Sequence, residues 1–504
     1  MVADVGRHRW LYLGLLAVLA VWCAVDVMPR GGINWQRIHE HRTDFTVYTE
    51  AGAAFFDGRD PYQVSNPRGW RYLYPPLFAI VVAPLHALPS TGQVCVWFVI
   101  SVAMAFGCYF EMRRLVALLC RQTTLDDEQK RLLFWIASAG LLTVMLPALN
   151  CLQRGQVEVL KLYLLLLAFR IFLSGRGARA WFLAGVLFAA AGILKLTPLL
   201  PVACLILYDG AIGLTRRSAH LPRLRAASLG VGVATGLVLF ALFLPASVIG
   251  WNANLRHLGS WFSRVVTKVI DVRTTDFGED VRSVRNQSLD NAAYRFGNWL
   301  NGKFAHGPDD SVIDRPHPAT VRLPMDNGIS GDLIVMARIA GLALLLLFVI
   351  RSARLDQPFG RAVTFGLACV ATLVVCPVAR GCYFALFLPA VVFTSMWLVS
   401  LGRPRIALIL AVVPVASVWL HYLLLPDSGR VGVLGLGTAA WFFATCAILD
   451  KCLSTRRVRQ SLEWGTCWLE CFPSRYRGRA AKCVGTIGDL HRDTEVLTAL
   501  SSED

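Results

Sequence analysis

Four ionisable positions stand out beside long apolar runs. Asp44 lies in Arg42-Thr43-Asp44-Phe45-Thr46-Val47-Tyr48. Glu158 closes Gln153-Arg154-Gly155-Gln156-Val157-Glu158, Lys195 opens Lys195-Leu196-Thr197-Pro198, and Arg380 sits in Cys376-Pro377-Val378-Ala379-Arg380-Gly381-Cys382-Tyr383. A carboxylate can take a proton from a weak oxygen nucleophile, which contributes typically 10²–10⁴-fold to a rate. Lysine and arginine can hold an anion that forms as a bond breaks. A lysine inside an apolar segment costs roughly 2.5–3.5 kcal/mol on insertion scales unless it is paired or near an interface. Lys195 therefore calls for either a partner or a function.

The elements that carry these residues are membrane helices. Apolar residues make up 55% of the 504-residue chain and charged residues 16%, with a mean hydropathy of +0.52. Soluble domains carry about 25% charged residues. A bilayer span needs roughly 20 mostly apolar residues, and without water its backbone groups must bond internally. The clearest runs are 10–28, 92–112, 132–149, 156–173, 226–249, 333–351, 362–377, 383–400, 404–424 and 431–450. Segment 180–208 is broken at Lys195-Leu196-Thr197-Pro198 and reads as two short helices. The fold class is thus an all-α polytopic membrane protein with about 12 transmembrane helices. The N-terminal Arg7-His8-Arg9 and the run after it read as an uncleaved first span.

Basic loops orient the spans. Segments 113–131, 174–179, 209–225, 351–361, 401–405 and the tail after 451 all bear Arg or Lys, and all fall on the cytoplasmic side if residue 1 does. The net charge of +17 has this explanation, so no nucleic-acid partner is expected. The apolar but Pro-flanked stretch 75–88 would reverse the scheme if it crossed, so it is expected to be re-entrant or interfacial. Two long loops, 29–91 and 250–332, then lie outside the cytoplasm, and Asp44, Glu158, Lys195 and Arg380 meet at that face. Such a cluster suits an amphipathic lipid whose phosphate enters the site while its tail stays in the bilayer. The 14 cysteines show no metal spacing and none lies in the two long loops, so neither a metal site nor a disulfide framework is expected. Residues 1–450 read as the transmembrane domain and 451–504 as a basic, poorly ordered cytoplasmic tail.

An ordered set of motifs resembles glycosyltransferase family 87. The set runs Asp44-Phe45-Thr46-Val47-Tyr48, Gly58-Arg59-Asp60-Pro61-Tyr62, Tyr72-Leu73-Tyr74-Pro75-Pro76-Leu77, Gly155-Gln156-Val157, Lys195-Leu196-Thr197-Pro198 and Asn286-Gln287-Ser288-Leu289. The resemblance covers roughly residues 10–400. It implies a GT-C-type fold whose first and fourth outside loops cover a cavity at the outer leaflet. It also implies a polyprenyl-phosphate sugar donor, often of mannose, a lipid or glycan acceptor, and no cofactor or essential metal. Asp44 takes the place of the catalytic base. Tyr48, Asp60, Tyr62, Tyr74, Gln156, Glu158, Lys195, Asn286, Gln287 and Arg380 are the candidate substrate-binding residues. The family is mainly bacterial, which implies a multi-pass protein of the cell (inner) membrane with its site facing away from the cytoplasm.

One base and one displacement predict inversion at the anomeric carbon. A retaining double displacement needs a second carboxylate about 5 Å from the first, and the sequence leaves Glu158 open for that role. The chain departs from the family pattern twice. Where many members carry Ser-Pro-x-x-Trp-x-His, it has Cys376-Pro377-Val378-Ala379-Arg380-Gly381-Cys382-Tyr383, with Arg380 in a position to supply the missing histidine's charge. Glu158 stands where the family more often has Asn. Two other readings stay open: a lipid or polyol transporter, which needs a mid-membrane site between related halves, and, given the missing Trp-x-His, a family member kept for binding without catalysis.

Overall fold

The computed structural model describes residues 14–33, 41–67, 69–121, 127–215, 220–267, 286–300, 331–354, 359–376, 378–423 and 431–470. They form two compact units, Met1–Ala444 and Thr445–Asp504. Among the described residues the regular structure is helical, with only the isolated bridges Ser65–Arg71 and Asn286–Arg380 between extended segments.

Helix α1 covers residues 14–30 and contains a π turn at Cys23–Val27. The first long loop then folds into α2 (Phe45–Phe56) and α3 (Pro76–Val82), the latter continued by a 3₁₀ turn, Ala83–Ala87. At 1.5 Å per residue this second element is about 18 Å long, shorter than the ~30 Å hydrocarbon layer. The long helices follow: α4 (Ser90–Cys120), α5 (Asp127–Arg154) and α6 (Glu158–Ser174). The run broken at Lys195 is two helices, α7 (Ala178–Leu194) and α8 (Leu199–Thr215), as its Lys-Leu-Thr-Pro sequence implies. Then come α9 (His220–Ile249) and, in the second long loop, α10 (Trp251–Trp261) and α11 (Leu289–Leu300). The remainder is α12 (Gly331–Arg354), α13 (Gly360–Val375), α14 (Gly381–Ser400, opening with a 3₁₀ turn), α15 (Pro404–Leu423) and α16 (Val433–Glu470). Among the described residues seven helices are long and apolar enough to cross a membrane by length and composition. The tail expected to begin at 451 starts as a continuation of α16 to Glu470, and residues 471–504 lie outside those described.

Helices α13 and α14 form the centre of the first unit. Both are buried along almost their whole length, whereas the longer peripheral helices leave Leu, Val, Phe and Ile side chains exposed for lipid. Phe169 of α6 stacks on Phe365 of α13 at 4.2 Å, and Phe393 of α14 packs beside them at 5.7 Å. With lipid as the alternative neighbour, helix association depends on close packing more than on apolar burial. The contact of α7 with α9 shows this. Gly232 packs so closely that an added Cβ would collide with the carbonyl oxygen of Phe182. Gly232→Ala is accordingly expected to destabilise the first unit by about 1–3 kcal/mol, read as earlier thermal unfolding in detergent; an unchanged transition would show that the two helices separate freely.

The helix ends remote from Lys195 carry ion pairs. Arg361 donates to Asp209 at 2.6 and 2.9 Å, joining α13 to α8, with Arg225 of α9 at 3.7 Å. Glu111 of α4 pairs with Arg170 of α6 and, at 2.7 Å, with Arg114. The two long loops and the break at Lys195 lie at the opposite helix ends.

Candidate active site

Thr43 and Gly155 bring the first loop onto the α5–α6 turn. The Asp44 amide donates to the Arg154 carbonyl at 2.8 Å, and the Thr43 hydroxyl reaches the same oxygen at 3.4 Å. Gly155 takes a left-handed φ of 69°, and a Cβ there would lie 2.8 Å from the Phe45 Cβ. A residue with a side chain would strain the turn and push the loop off. Asn66 closes the loop from behind. Its side-chain amide donates to the Thr43 carbonyl at 3.4 Å and the Thr46 hydroxyl at 3.3 Å, and its oxygen accepts from the Trp70 amide at 3.1 Å.

Asp44 immediately precedes α2, where an aspartate commonly caps the helix. Here its side chain makes no cap bond; Thr43 accepts from the Phe45 amide instead, at 3.2 Å. The Asp44 carboxylate turns to Arg154 at 3.2 Å, to Arg380 at 3.4 Å and to the side-chain amide of Gln156, which donates to it. Burial pushes this carboxyl up, but the Arg154 and Arg380 charges and the Gln156 hydrogen bond outweigh burial and hold it below its ordinary value. The group is therefore ionised throughout the neutral range. Any activity that needs its anionic form should hold level from neutral pH down past the usual carboxylate range, falling only below about pH 4. A pH–rate profile checks this, and an acid limb centred at pH 5–6 would contradict it. The sign is the same for stability: the contribution of a depressed carboxyl is present above the unfolded pKa and is lost as pH falls through the folded one.

A cavity of about 200 Å³ opens beside this cluster. Asp44, Tyr48, Tyr74, Gln156, Lys195 and Arg380 all line it, together with Trp70, Thr197 and Tyr383. Its other wall is apolar: Leu73, Leu196, Trp261, Val265 and Val266. Lys195 sits at the break between α7 and α8, its ammonium 3.6 Å from the centre of the Tyr383 ring and 5.5 Å from that of Tyr74. Burial beside Tyr74 and Asp44 pushes the Tyr48 phenol up, so it stays a neutral hydrogen-bonding group.

The other expected site residues lie behind the cavity wall. Glu158 is 1% exposed and clasped between Lys161 and Lys195. It is sealed from the cavity and so is not placed to attack a sugar there. Asp60 binds the Tyr62 amide at 3.0 Å, the Gln63 side chain at 2.9 Å, Ser260 at 3.0 Å and Arg264 at 3.7 Å, which ties the first loop to α10. Tyr62 donates to the Tyr74 carbonyl at 3.0 Å. Asn286 accepts from the Ala379 amide at 3.1 Å and bridges Arg380 through the backbone, while the Gln287 amide donates to the Ala379 carbonyl at 2.7 Å. These five residues hold the residues that line the cavity. Asn286 also heads an N-x-[ST] sequence, but its side chain is buried and its oxygen accepts from the Ser288 and Ala379 amides.

Three residues of the site have weak sequence signals: Arg154, which holds Asp44, and Trp70 and Tyr383, which line the cavity. Arg154 is one arginine among many until its loop meets Asp44. Its guanidinium lies 5.4 Å above the Trp70 ring, and Trp70 is an ordinary loop aromatic in sequence. Tyr383 follows Arg380 by three residues, a spacing that the 3₁₀ turn converts into contact with Lys195. Among the described residues no group of three or more His, Cys, Asp or Glu side chains could hold a metal.

Fold and site together define an all-α polytopic membrane protein with an acid-and-cation pocket where its helices end. It is a membrane glycosyltransferase: the chain belongs to glycosyltransferase family 87, which matches residues 72–377. The match contains Tyr74, Gln156, Glu158, Lys195, Asn286 and Gln287, while Asp44 and Arg380 lie just outside it and reach the same cavity through the fold. Among solved structures the chain is similar to the crystal structure of ArnT from Cupriavidus metallidurans bound to undecaprenyl phosphate. The identity is 14% and the TM-score 0.36, over 92% of this chain and 81% of that one. No curated protein sequence matches the chain.

Proposed function

We propose that the protein transfers one hexose, mannose by family expectation, from a polyprenyl phosphate to a lipid or glycan acceptor on the extracytoplasmic face of the cell membrane. The observation that carries this reading is the cavity itself. A single carboxylate and three cations, Arg71, Lys195 and Arg380, line one pocket that also has an apolar wall. A sugar joined to a lipid phosphate matches that combination. The phosphate lies between Lys195 and Arg380, and the first isoprenoid units run along Leu196, Trp261 and Val265. The acceptor hydroxyl approaches Asp44 from the side of Trp70 and Gln156.

In the transfer, the acceptor oxygen forms a bond to the anomeric carbon and its proton passes to Asp44. The bond from that carbon to the phosphate oxygen breaks, and its electron pair leaves with the lipid phosphate. An anionic phosphate leaves without an acid, provided cations hold it. Asp44 is the sole carboxylate lining the cavity among the described residues, so one displacement and inversion follow. A carboxylate clamped by two guanidinium groups is a weak base. The arriving phosphate corrects this by competing for Arg380, the more distant of its two arginines.

The test is to reconstitute the purified protein and supply radiolabelled polyprenyl-phosphate hexoses in one arm and nucleotide hexoses in the other, with a membrane lipid extract as acceptor. Label should move to lipid or glycan only in the first arm. Transfer from the nucleotide sugars alone would overturn the donor class.

A further inference from the structure

Resting on that reading, we propose that Lys161, which never touches substrate, is a positioning residue that matches the charge of the site to the departing lipid phosphate rather than to the arriving donor. Lys161 is 1% exposed and lies on α6, one turn after Glu158, with which it is ion-paired. Its ammonium also donates to Thr197 at 3.3 Å and sits 5.6 Å from the Tyr383 ring centre. Thr197 and Tyr383 both line the cavity, and Lys195 shares Glu158 as a partner.

Without Lys161, Glu158 would cancel Lys195. With it, the enclosed groups are two carboxylates, Asp44 and Glu158, and four cations, Arg154, Arg380, Lys161 and Lys195. Among these enclosed groups the surplus is two positive charges; Arg71 also lines the cavity but is exposed, so water screens its charge. A polyprenyl-phosphate sugar is a phosphodiester with one negative charge. The lipid phosphate that leaves is a monoester with about 1.5 to 2 near neutral pH, its second pKa lying near 6. Charge that appears only as the bond breaks is what catalysis must stabilise. The Glu158–Lys161 pair does so from behind the cavity wall while Lys195 meets the ligand directly. A consequence is that this enzyme holds its lipid phosphate product more tightly than its donor.

The test measures equilibrium binding of radiolabelled polyprenyl phosphate, and of a polyprenyl-phosphate hexose, to purified protein in lipid nanodiscs at pH 8, so it does not depend on turnover. Lys161→Met should weaken binding of the phosphate on the order of tenfold and of the donor by less, since the lost interaction scales with ligand charge. The difference between wild type and variant should shrink below pH 6, where the phosphate becomes a monoanion. Glu158→Gln/Lys161→Met restores the surplus and should bind the phosphate nearly as the wild type does. Unchanged affinity in the folded fraction of Lys161→Met, or equal losses for both ligands, would overturn the proposal and leave the pair a structural one. Lys195→Met separates the two layers of the argument: if it too binds polyprenyl phosphate normally, the phosphate position fails, and if it alone is impaired, only the role of Lys161 fails.

Discussion

Asp44→Asn should leave a folded protein whose sugar transfer is slower by about 10²–10⁴-fold, the range that loss of a positioned base produces. The change removes one charge and keeps the shape. The loop depends on the Asp44 amide, Thr43 and Asn66 rather than on the Asp44 carboxylate, so its backbone contacts survive. Arg154 and Arg380 are both partly exposed, at 14% and 16%, and can be hydrated when the carboxylate goes, which limits the cost to stability. The loss should therefore fall on kcat, with the donor KM changed little or improved, because Arg380 is released to the phosphate. Rates and KM values for variant and wild type at matched folded concentration check this. Transfer at the wild-type rate would remove Asp44 as the base.

Glu158→Ala should have the largest effect on stability. It leaves Lys161, at 1% exposure, and Lys195, at 10%, facing one another without the carboxylate between them. Removing one partner from a buried ion pair costs about 3–5 kcal/mol, because the remaining charge has no water and no counter-ion. The variant should unfold at markedly lower temperature, and adding Lys161→Met should recover much of the loss by removing one of the stranded charges. Measured unfolding of the single and double variants decides between this and a wet, tolerant site, in which both would unfold with the wild type. The effect contrasts with Asp44→Asn, although both changes remove one carboxylate from the same cluster. Burial separates the two outcomes: Asp44 faces a cavity and Glu158 does not.

Much of this was legible in the sequence. A lysine followed by Leu-Thr-Pro within an apolar run can hardly lie mid-helix, and the chain does break there. The Pro-flanked run from Pro75 reads as a short segment, and it forms a short helix continued by a 3₁₀ turn. Asp44 reads as special because its neighbours repeat a family motif. Its partners could not be read, since 110 residues separate it from Arg154 and 336 from Arg380, and only the packing of the loops closes those distances. Asp60, Tyr62, Glu158, Asn286 and Gln287 stand in motifs as prominent as those of the cavity residues. A motif, however, does not distinguish a side chain that meets the ligand from one that holds the wall. Lys161 is the converse case: an E-x-x-K spacing on an apolar helix reads as an internal pair, and its bearing on the cavity appears only when Lys195 joins the same carboxylate.

The most direct measurement follows both products of a single reaction. Purified wild-type protein in liposomes is given a polyprenyl-phosphate hexose of known anomeric configuration and a membrane lipid extract, and released polyprenyl phosphate is quantified beside the glycosylated product. The expected result is one polyprenyl phosphate per sugar transferred and a product of inverted configuration, with both signals lost together in Asp44→Asn. Retained configuration, or sugar transfer without stoichiometric release of the lipid phosphate, would contradict a single displacement at the Asp44 cavity.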